Sequence, residues 1–516
     1  MLYNLKWLEA KKSFPPTIEQ TRIERYRQNA ALFDGDHFDS SKYRHRDGSS
    51  SSYLEVYNLC ARRISRVVDN WEEVISFPVL LNYQRLMTLK MADLVCGEYP
   101  DITGSSAEEN NTIKSFRDSS DFDSKIYSAV IDISRYGDSV LRIYKDENGE
   151  NTFTVWDPKE WYPIVSQDGT NRINHHCLCW TENKKPDEQV GDWYLHVQIH
   201  GTSPEDIGKY TYRVYKLDVG ARTIVKKLSE EIIDTGLDVC AVMHLKAFSV
   251  SNSVYGYDDY MTIDSILSEI MTRVGQISAI LDKHADPNIT GPVSMLEIDP
   301  KTGERHLKMG KFFAVSPGEE QPKYLTWEGQ LTSAFKQLEI LINQLYILSE
   351  MGAALLGSSD GGSQAISGTA MRFKMVNPLA KARRISNSMT RNIKVLFSAL
   401  TDSVPQEHIS VLWKDGLPDD PRENIENAKL ASGATKMMPL EDAIMTYFKK
   451  SNEEAKTWIS KIQEETKANM SLVDDGGGSQ DDDDPNKPGP QDGTGVNPNK
   501  KGSETGFNAF SGLNNK

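Results

Sequence analysis

The stretch Ile263-Asp264-Ser265-Ile266-Leu267-Ser268-Glu269-Ile270-Met271-Thr272-Arg273-Val274-Gly275-Gln276-Ile277-Ser278-Ala279-Ile280-Leu281 decides the architecture. Its apolar residues Ile263, Ile266, Leu267, Ile270, Val274, Ile277 and Leu281 advance by steps of three and four. This repeat marks one buried face of a long helix, and the spacing predicts that helix from Asp258 to the stop at Asp286-Pro287. Residues 287 to 326 then hold Pro, Gly and short strand patterns. Leu331, Phe335, Leu338, Ile342 and Leu345 resume the helical spacing after them. Two long helices therefore bracket a compact insertion. The second also carries Ile340, Leu341 and Ile347 off its main stripe, so more than one face should be covered, by this chain or by a neighbour in an oligomer.

Toward the C-terminus, Gly352 to Ser367 is a run of small residues that reads as a loop. Gly368 to Leu400 reads as a helix that Pro378 must kink or divide, because proline lacks an amide donor and clashes with the preceding turn. Residues 421 to 470 are helical in pattern, with Ile425, Leu430, Ala443, Ile444, Tyr447, Phe448 and Trp458 as apolar anchors. From Ser471 onward Gly, Asp, Asn, Pro and Lys dominate, including Asp481 to Asp484, a composition expected to be disordered.

Toward the N-terminus the pattern is mixed. Residues 1 to 33 read as a helical lead-in punctuated by Pro15 and Pro16, and 34 to 52 as a loop. Leu80, Tyr83, Leu86, Met87, Met91 and Leu94 predict a helix over 79–95 with Gly97 as its stop, and a second helix is expected from Asp123 to Arg135. Ser139 to Tyr144, Thr152 to Trp156 and further short segments to about 247 alternate as strands. The fold class is α+β.

Composition narrows the function. The chain has 516 residues, enough for roughly three or four structural modules. Its five scattered cysteines do not form a secreted disulfide framework, so a reducing cytoplasm fits. No export signal opens the sequence, and no segment supplies the roughly 20 apolar residues of a membrane span. A net charge of -15 excludes general coating of nucleic acid, which needs cations to displace phosphate counterions; any DNA contact must be local or weak.

Five strings, in this order, resemble the portal proteins of tailed double-stranded DNA bacteriophages, in particular the siphophage type of Gram-positive hosts. They are Asn82 to Pro100, ending Gly97-Glu98-Tyr99-Pro100; Ile133-Ser-Arg-Tyr-Gly-Asp-Ser-Val-Leu-Arg-Ile-Tyr144; Val155-Trp-Asp-Pro-Lys-Glu-Trp-Tyr-Pro-Ile164; Ser253-Val-Tyr-Gly-Tyr-Asp-Asp-Tyr260; and Ser367-Gly-Thr-Ala-Met-Arg-Phe-Lys374. The likeness, carried by their order and spacing, covers most of residues 55 to 470.

The resemblance implies a portal fold: a mixed α/β wing over 1–257, stem helices over 258–285 and 328–351, and a small α/β clip over 286–327. A tunnel loop would follow over 352–367, then the kinked helix and the rest of the wing over 368–420, a helical crown over 421–470 and a disordered acidic tail over 471–516. It implies a homo-oligomeric ring of twelve subunits at the capsid vertex of the virion, assembled in the host cytoplasm. This ring would conduct double-stranded DNA for packaging and ejection and join head to tail. Its partners would be the terminase packaging motor, the major capsid and scaffolding proteins and a head-tail adaptor, with no membrane.

Within this frame Ser358, Ser359, Asp360, Gly361, Gly362, Ser363 and Gln364 are candidates to graze DNA, because short polar groups permit sliding where strong phosphate pairing would hold the duplex. An ordinary exposed connector is the plainer account. From Gly361 through Thr401 no acidic residue occurs, while Arg372, Lys374, Lys381, Arg383 and Arg384 are basic. They suit either a DNA-facing stripe or pairing with acidic surfaces of adjacent subunits. Lys301, Arg305, Lys308 and Lys311 surround the turn Asp299-Pro300-Lys301-Thr302-Gly303 and form either a solvated hairpin or a surface for the motor, the adaptor or DNA.

No catalytic residue, metal or cofactor is expected. His175-His176-Cys177-Leu178-Cys179 lacks a second ligand pair at finger-like spacing, so a buried strand is the better reading. Gly303 to Lys311 has the wrong spacing for a phosphate loop, and Phe312 stands where magnesium needs Ser or Thr. The rival readings are a packaging or nucleic-acid-processing enzyme, which turnover in a pure preparation would reveal, and a non-viral helical scaffolding protein.

Overall fold

The computed structural model describes residues 1–37, 61–68, 71–78, 80–185, 191–285, 331–357, 368–401, 403–414, 421–432, 437–448, 450 and 452–474, with short pieces of 289–324. The chain divides into two compact units, Met1–Asp419 and Asp420–Lys516.

The first unit opens with short helical turns and α1 (Gln20–Asp34), then the hairpin β1 (Ala61–Val68) and β2 (Trp71–Pro78). Next come α2 (Tyr83–Cys96), β3 (Asp101–Thr103), α3 (Ala107–Ser119) and α4 (Phe122–Tyr136). Helix α2 starts at Tyr83, later than expected, because the Asn82 side chain caps it by accepting from the Arg85 amide at 2.9 Å. The strands β4 (Asp138–Lys145), β5 (Asn151–Trp156), β6 (Trp161–Val165), β7 (Ile173–Asn183), β8 (Trp193–Gly201), β9 (Lys209–Leu217), β10 (Ile224–Asp234) and β11 (Val242–Lys246) follow. They form two antiparallel sheets, a meander in the order β10-β9-β8-β7-β6 and a three-stranded sheet in the order β11-β4-β5. The mixed α and β character is as the periodicity indicates.

The N-terminal residues are more than a helical lead-in. Leu2 bridges to Ile164 and Ser13 to Thr223, and Trp7 packs 5.4 Å from the Tyr162 ring, so residues 1–14 help to close the core of the meander. Cys177 and Cys179 share that buried face of β7, where burial pushes the Cys177 thiol up to about 12.

Helix α5 (Asp264–Ala285) is the long helix of the opening stretch. Ile263, Leu267, Ile270 and Ile277 are buried as the spacing requires, while Leu281 is exposed. The helix begins at Asp264 and not Asp258, because the Asp258 carboxylate accepts from the amides of Tyr260 and Met261 at 3.1 and 2.9 Å and holds a turn there. The insertion is nested: β12 (Ile289–Thr290) pairs with β15 (Lys323–Tyr324), and between them β13 (Leu296–Ile298) pairs with β14 (Arg305–Leu307). Helix α6 (Leu331–Leu348) packs on α5 through Leu338, Leu341, Ile342 and Leu345, a stripe rotated from the expected one that leaves Phe335 exposed.

Two further boundaries move. Gly352 to Leu355, expected in a loop, form the helical turn α7 (Gly352–Leu355), with Ala354, Leu355 and Leu356 against the core. The helix containing Pro378 is divided, not merely bent, into α8 (Gly368–Lys374) and α9 (Val376–Thr401), with the break at Met375. Pro378 then sits in the first turn of α9, where a missing amide costs no helical bond. Strand β16 (Ser410–Leu412) returns to pair with β3. The main core gathers α2, α4, α5, α6, α9 and the three-stranded sheet, with Phe397 4.9 Å from Phe122.

The second unit holds α10 (Pro421–Ser432), α11 (Leu440–Phe448) and α12 (Asn452–Asp474). Ala443 and Ile444 are buried, but Ile425, Leu430 and Trp458 are exposed and do not anchor this unit's core. Helix α12 continues to Asp474, past the start of the expected disordered tail, and residues 475–516 lie outside the described residues.

Candidate functional site

The strings quoted above from residues 82–100, 133–144, 155–164 and 253–260 are far apart in sequence and meet at one polar junction below α5. The face of α1 carrying Arg22, Arg25, Tyr26 and Asn29 is its wall. Arg22 pairs with Glu19 at 2.7 Å and donates to the carbonyls of Pro158 and Trp161 at 3.0 and 2.8 Å. The Tyr255 hydroxyl donates to the same Glu19 at 2.7 Å. Burial works against the Arg22 charge, and Tyr255, Tyr26 and Glu19 overcome it, holding the guanidinium above its ordinary pKa. Asn29 donates to the Arg135 carbonyl at 2.6 Å, at the end of α4.

Asp138 is the centre. Fully buried at the start of β4, it receives the Tyr26 hydroxyl, the His244 ring at 2.6 Å and the Gly256 amide at 2.8 Å. Burial and the adjacent Asp138 raise the Tyr26 pKa well above the phenol range, so this hydroxyl stays a donor. Gly137 ends α4 with φ +85°, and Gly256 lies directly on it: a Cβ on Gly256 would stand 2.0 Å from the Gly137 carbonyl oxygen. Both glycines are required for the two segments to touch. Trp161 closes this layer, 4.4 Å from the His244 ring and donating to His176 at 3.0 Å. Burial, with His244, His200 and His175 adding, pulls His176 down to about 3, so it accepts as the neutral ring.

Three aspartates root the long helix. Arg25 spans Asp258 at 2.9 Å and Asp264 at 3.2 Å, and Gln84 of α2 donates to Asp264 at 3.4 Å. Burial pushes the Asp264 carboxyl up to about 7, with Arg25 pulling the other way. Asp259 receives the Ser134 hydroxyl at 2.7 Å and Lys381 of α9 at 2.8 Å. Lys381 also donates to the Ser349 carbonyl at the end of α6, at 3.1 Å. Thr88 of α2 bonds Ser134 and Tyr260 at 3.1 and 2.8 Å. Every carboxylate here is answered by a cation or a donor. Such an arrangement fixes elements in place and presents no free base or nucleophile.

The sequence candidates fare differently. Lys381 is withdrawn as a DNA-contacting or inter-subunit residue, since it is buried and its ammonium is spent on Asp259 and Ser349 of its own chain. Arg384 is exposed and pairs within the chain with Glu350 at 2.5 Å. Arg372, Lys374 and Arg383 are exposed on α8 and α9. Lys301 lies exposed in the turn of the inner hairpin, and Arg305 is in β14. Lys308, Lys311 and the run Ser358, Ser359, Asp360, Gly361, Gly362, Ser363 and Gln364 fall outside the described residues. The wall of α1 was missed. Its signal was Arg22, Arg25, Tyr26 and Asn29 recurring by three and four, a polar stripe where an apolar one is usually sought.

Among the described residues no group of three or more metal-ligating side chains gathers, and no helix is long and apolar enough to cross a membrane. No curated protein matches the chain. A solved structure described as "Neck of native GTA particle computed with C12 symmetry" is similar at 12% identity over 70% of this chain and 89% of that chain, with a TM-score of 0.36, too low to carry an argument. Residues 19–232 match the family model described as "Phage portal protein, SPP1 Gp6-like". The matched region runs from the buried Glu19 through α1 and the Asp138 layer to β10, and it gives this chain the role of a phage portal protein.

Proposed function

We propose that twelve copies close into a ring around a bore that conducts double-stranded DNA into and out of the head, while a separate ATPase does the work. The subunit is structural and hydrolyses nothing. In this reading α5 and α6 are the stem and the nested insertion 286–327 is the clip that meets the terminase motor and the head-tail adaptor. The segment that follows α7, up to residue 367, faces the duplex, and α10 to α12 form the crown. The ring sits at the portal vertex of the virion, in contact with the major capsid and scaffolding proteins, in a siphophage of a Gram-positive host.

One observation carries the reading. Helix α6 buries a single stripe against its own chain and exposes Phe335, Ile340, Ile347 and Leu348, each about half uncovered or more, with Ile340 and Ile347 seven residues apart on one side. A helix apolar on several faces needs a second cover. A copy of the same chain, offering the same helix pair, supplies it, and repetition of a head-to-tail contact closes a ring. Negative-stain imaging of the purified chain should show rings with a central hole. A compact monomer at every concentration and salt would overturn the proposal.

A further inference from the structure

Outside the junction, β4 carries a charge that no anion among the described residues answers. Arg142 lies opposite Thr154 of β5 and Val242 of β11, with its guanidinium over the rings of Trp156 and Tyr144 at 5.2 and 5.6 Å. Its Nε is shielded from solvent and meets no acceptor among the described residues, and none of their carboxylates pairs with the group. Burial pulls its pKa below the usual arginine value, opposed only by Tyr210 and Tyr144. Arg213 of β9 also has a buried Nε without an acceptor, but Glu230 stands 3.0 Å from its Nη2, an anion that Arg142 lacks among the described residues. A half-buried arginine without an anion is a costly arrangement unless a ligand completes it.

Arg142 borders a cavity of about 190 Å³ between the three-stranded sheet and the meander, lined also by Lys145, Asn151, His200, Tyr210 and Asp234. Burial, with Arg142 adding, pulls His200 down to about 3, so it brings no charge. Asp234 is engaged in its own turn, accepting from the Gly236 amide at 2.8 Å.

We propose that this cavity binds a monoanionic carboxylate, with the Arg142 fork as its main contact and Lys145 as the second cation. A guanidinium held over two rings offers its donors edge-on, which suits a planar pair of oxygens. Asp234 at the cavity wall opposes a second negative charge and so disfavours phosphate dianions. The carboxylate comes either from a free acid or from an Asp or Glu side chain of another copy of this chain.

The test uses the full-length protein titrated with sodium acetate against sodium chloride at constant ionic strength, followed by calorimetry and melting temperature. Wild type should bind acetate and melt higher with it. Arg142→Gln should weaken binding at least about tenfold, the cost of losing a charge-assisted pair, and Arg142→Lys should fall between. Mass photometry of the same variants separates the sources: oligomers lost in R142Q identify a side chain of another copy, and unchanged oligomers identify a free acid. Acetate binding equal in wild type and both variants, or absent in wild type while R142Q leaves the oligomers unchanged, overturns the proposal. If R142Q does not fold, R142K against wild type still decides it.

Discussion

Lys381 Nζ lies 2.8 Å from Asp259 Oδ1 and 3.1 Å from the Ser349 carbonyl oxygen, so one ammonium ties the turn before α5 to the end of α6. Both side chains are largely buried. Lys381→Met strands the Asp259 charge and should cost about 3 kcal/mol, the usual penalty for breaking a buried pair from one side. Asp259→Asn in the same chain should restore part of it. A double-mutant cycle on denaturant midpoints measures the coupling, and additive losses would show that the pair contributes nothing.

The Gly137–Gly256 contact predicts a contrast between glycines that all look like turn residues in the sequence. Gly256→Ala puts a methyl 2.0 Å from a backbone oxygen that has no room to move, and Gly137→Ala puts one 2.7 Å from the Gly256 and Tyr257 backbone. Either should yield insoluble or strongly destabilised protein. Gly149→Ala has the same left-handed backbone, φ +83°, with open space around it. It should cost only about 1 kcal/mol of backbone strain. Soluble yield and melting temperature of the three variants check this.

Asp264 gives stability a pH dependence of definite sign. Its carboxyl titrates at about 7 in the folded chain against 3.8 as its ordinary value, so between these limits the folded state holds a proton that the unfolded state has lost. Its contribution is complete below about pH 4, declines as pH rises toward 7 and is flat above. Asp264→Asn should therefore gain on wild type steadily from pH 4 to pH 7. A melting-temperature difference that stays constant over this range would refute the assignment.

If α6 is covered by a second copy, Ile340→Glu with Ile347→Glu should abolish rings and leave a folded monomer by circular dichroism. Deletion of residues 358–364 should do the reverse, leaving rings intact while impairing DNA retention or packaging. Loss of assembly on that deletion would make the segment structural.

The long helices were legible because burial on one face writes a period into the sequence, and Ile263, Leu267, Ile270 and Ile277 obey it. The start of α5 was not, since Asp258 acts through its own local turn, which has no period. The junction was legible only as separate strings. Arg25 and Asp258, like Tyr26 and Asp138, meet across more than a hundred residues, and such polar pairing leaves no local pattern. Lys381 was misread for the same reason: a basic residue among basic residues looks solvated until its buried partners are known.

The root of α5 has a mechanical consequence. Arg25, Gln84 and Lys381 reach Asp258, Asp264 and Asp259 from three different helices, so a displacement of the start of α5 would load all three at once. Load shared in parallel rises with the number of tethers. A thrust delivered to the far end of the rod would thus be passed into α1, α2 and α9 before the first turn of α5 could unwind.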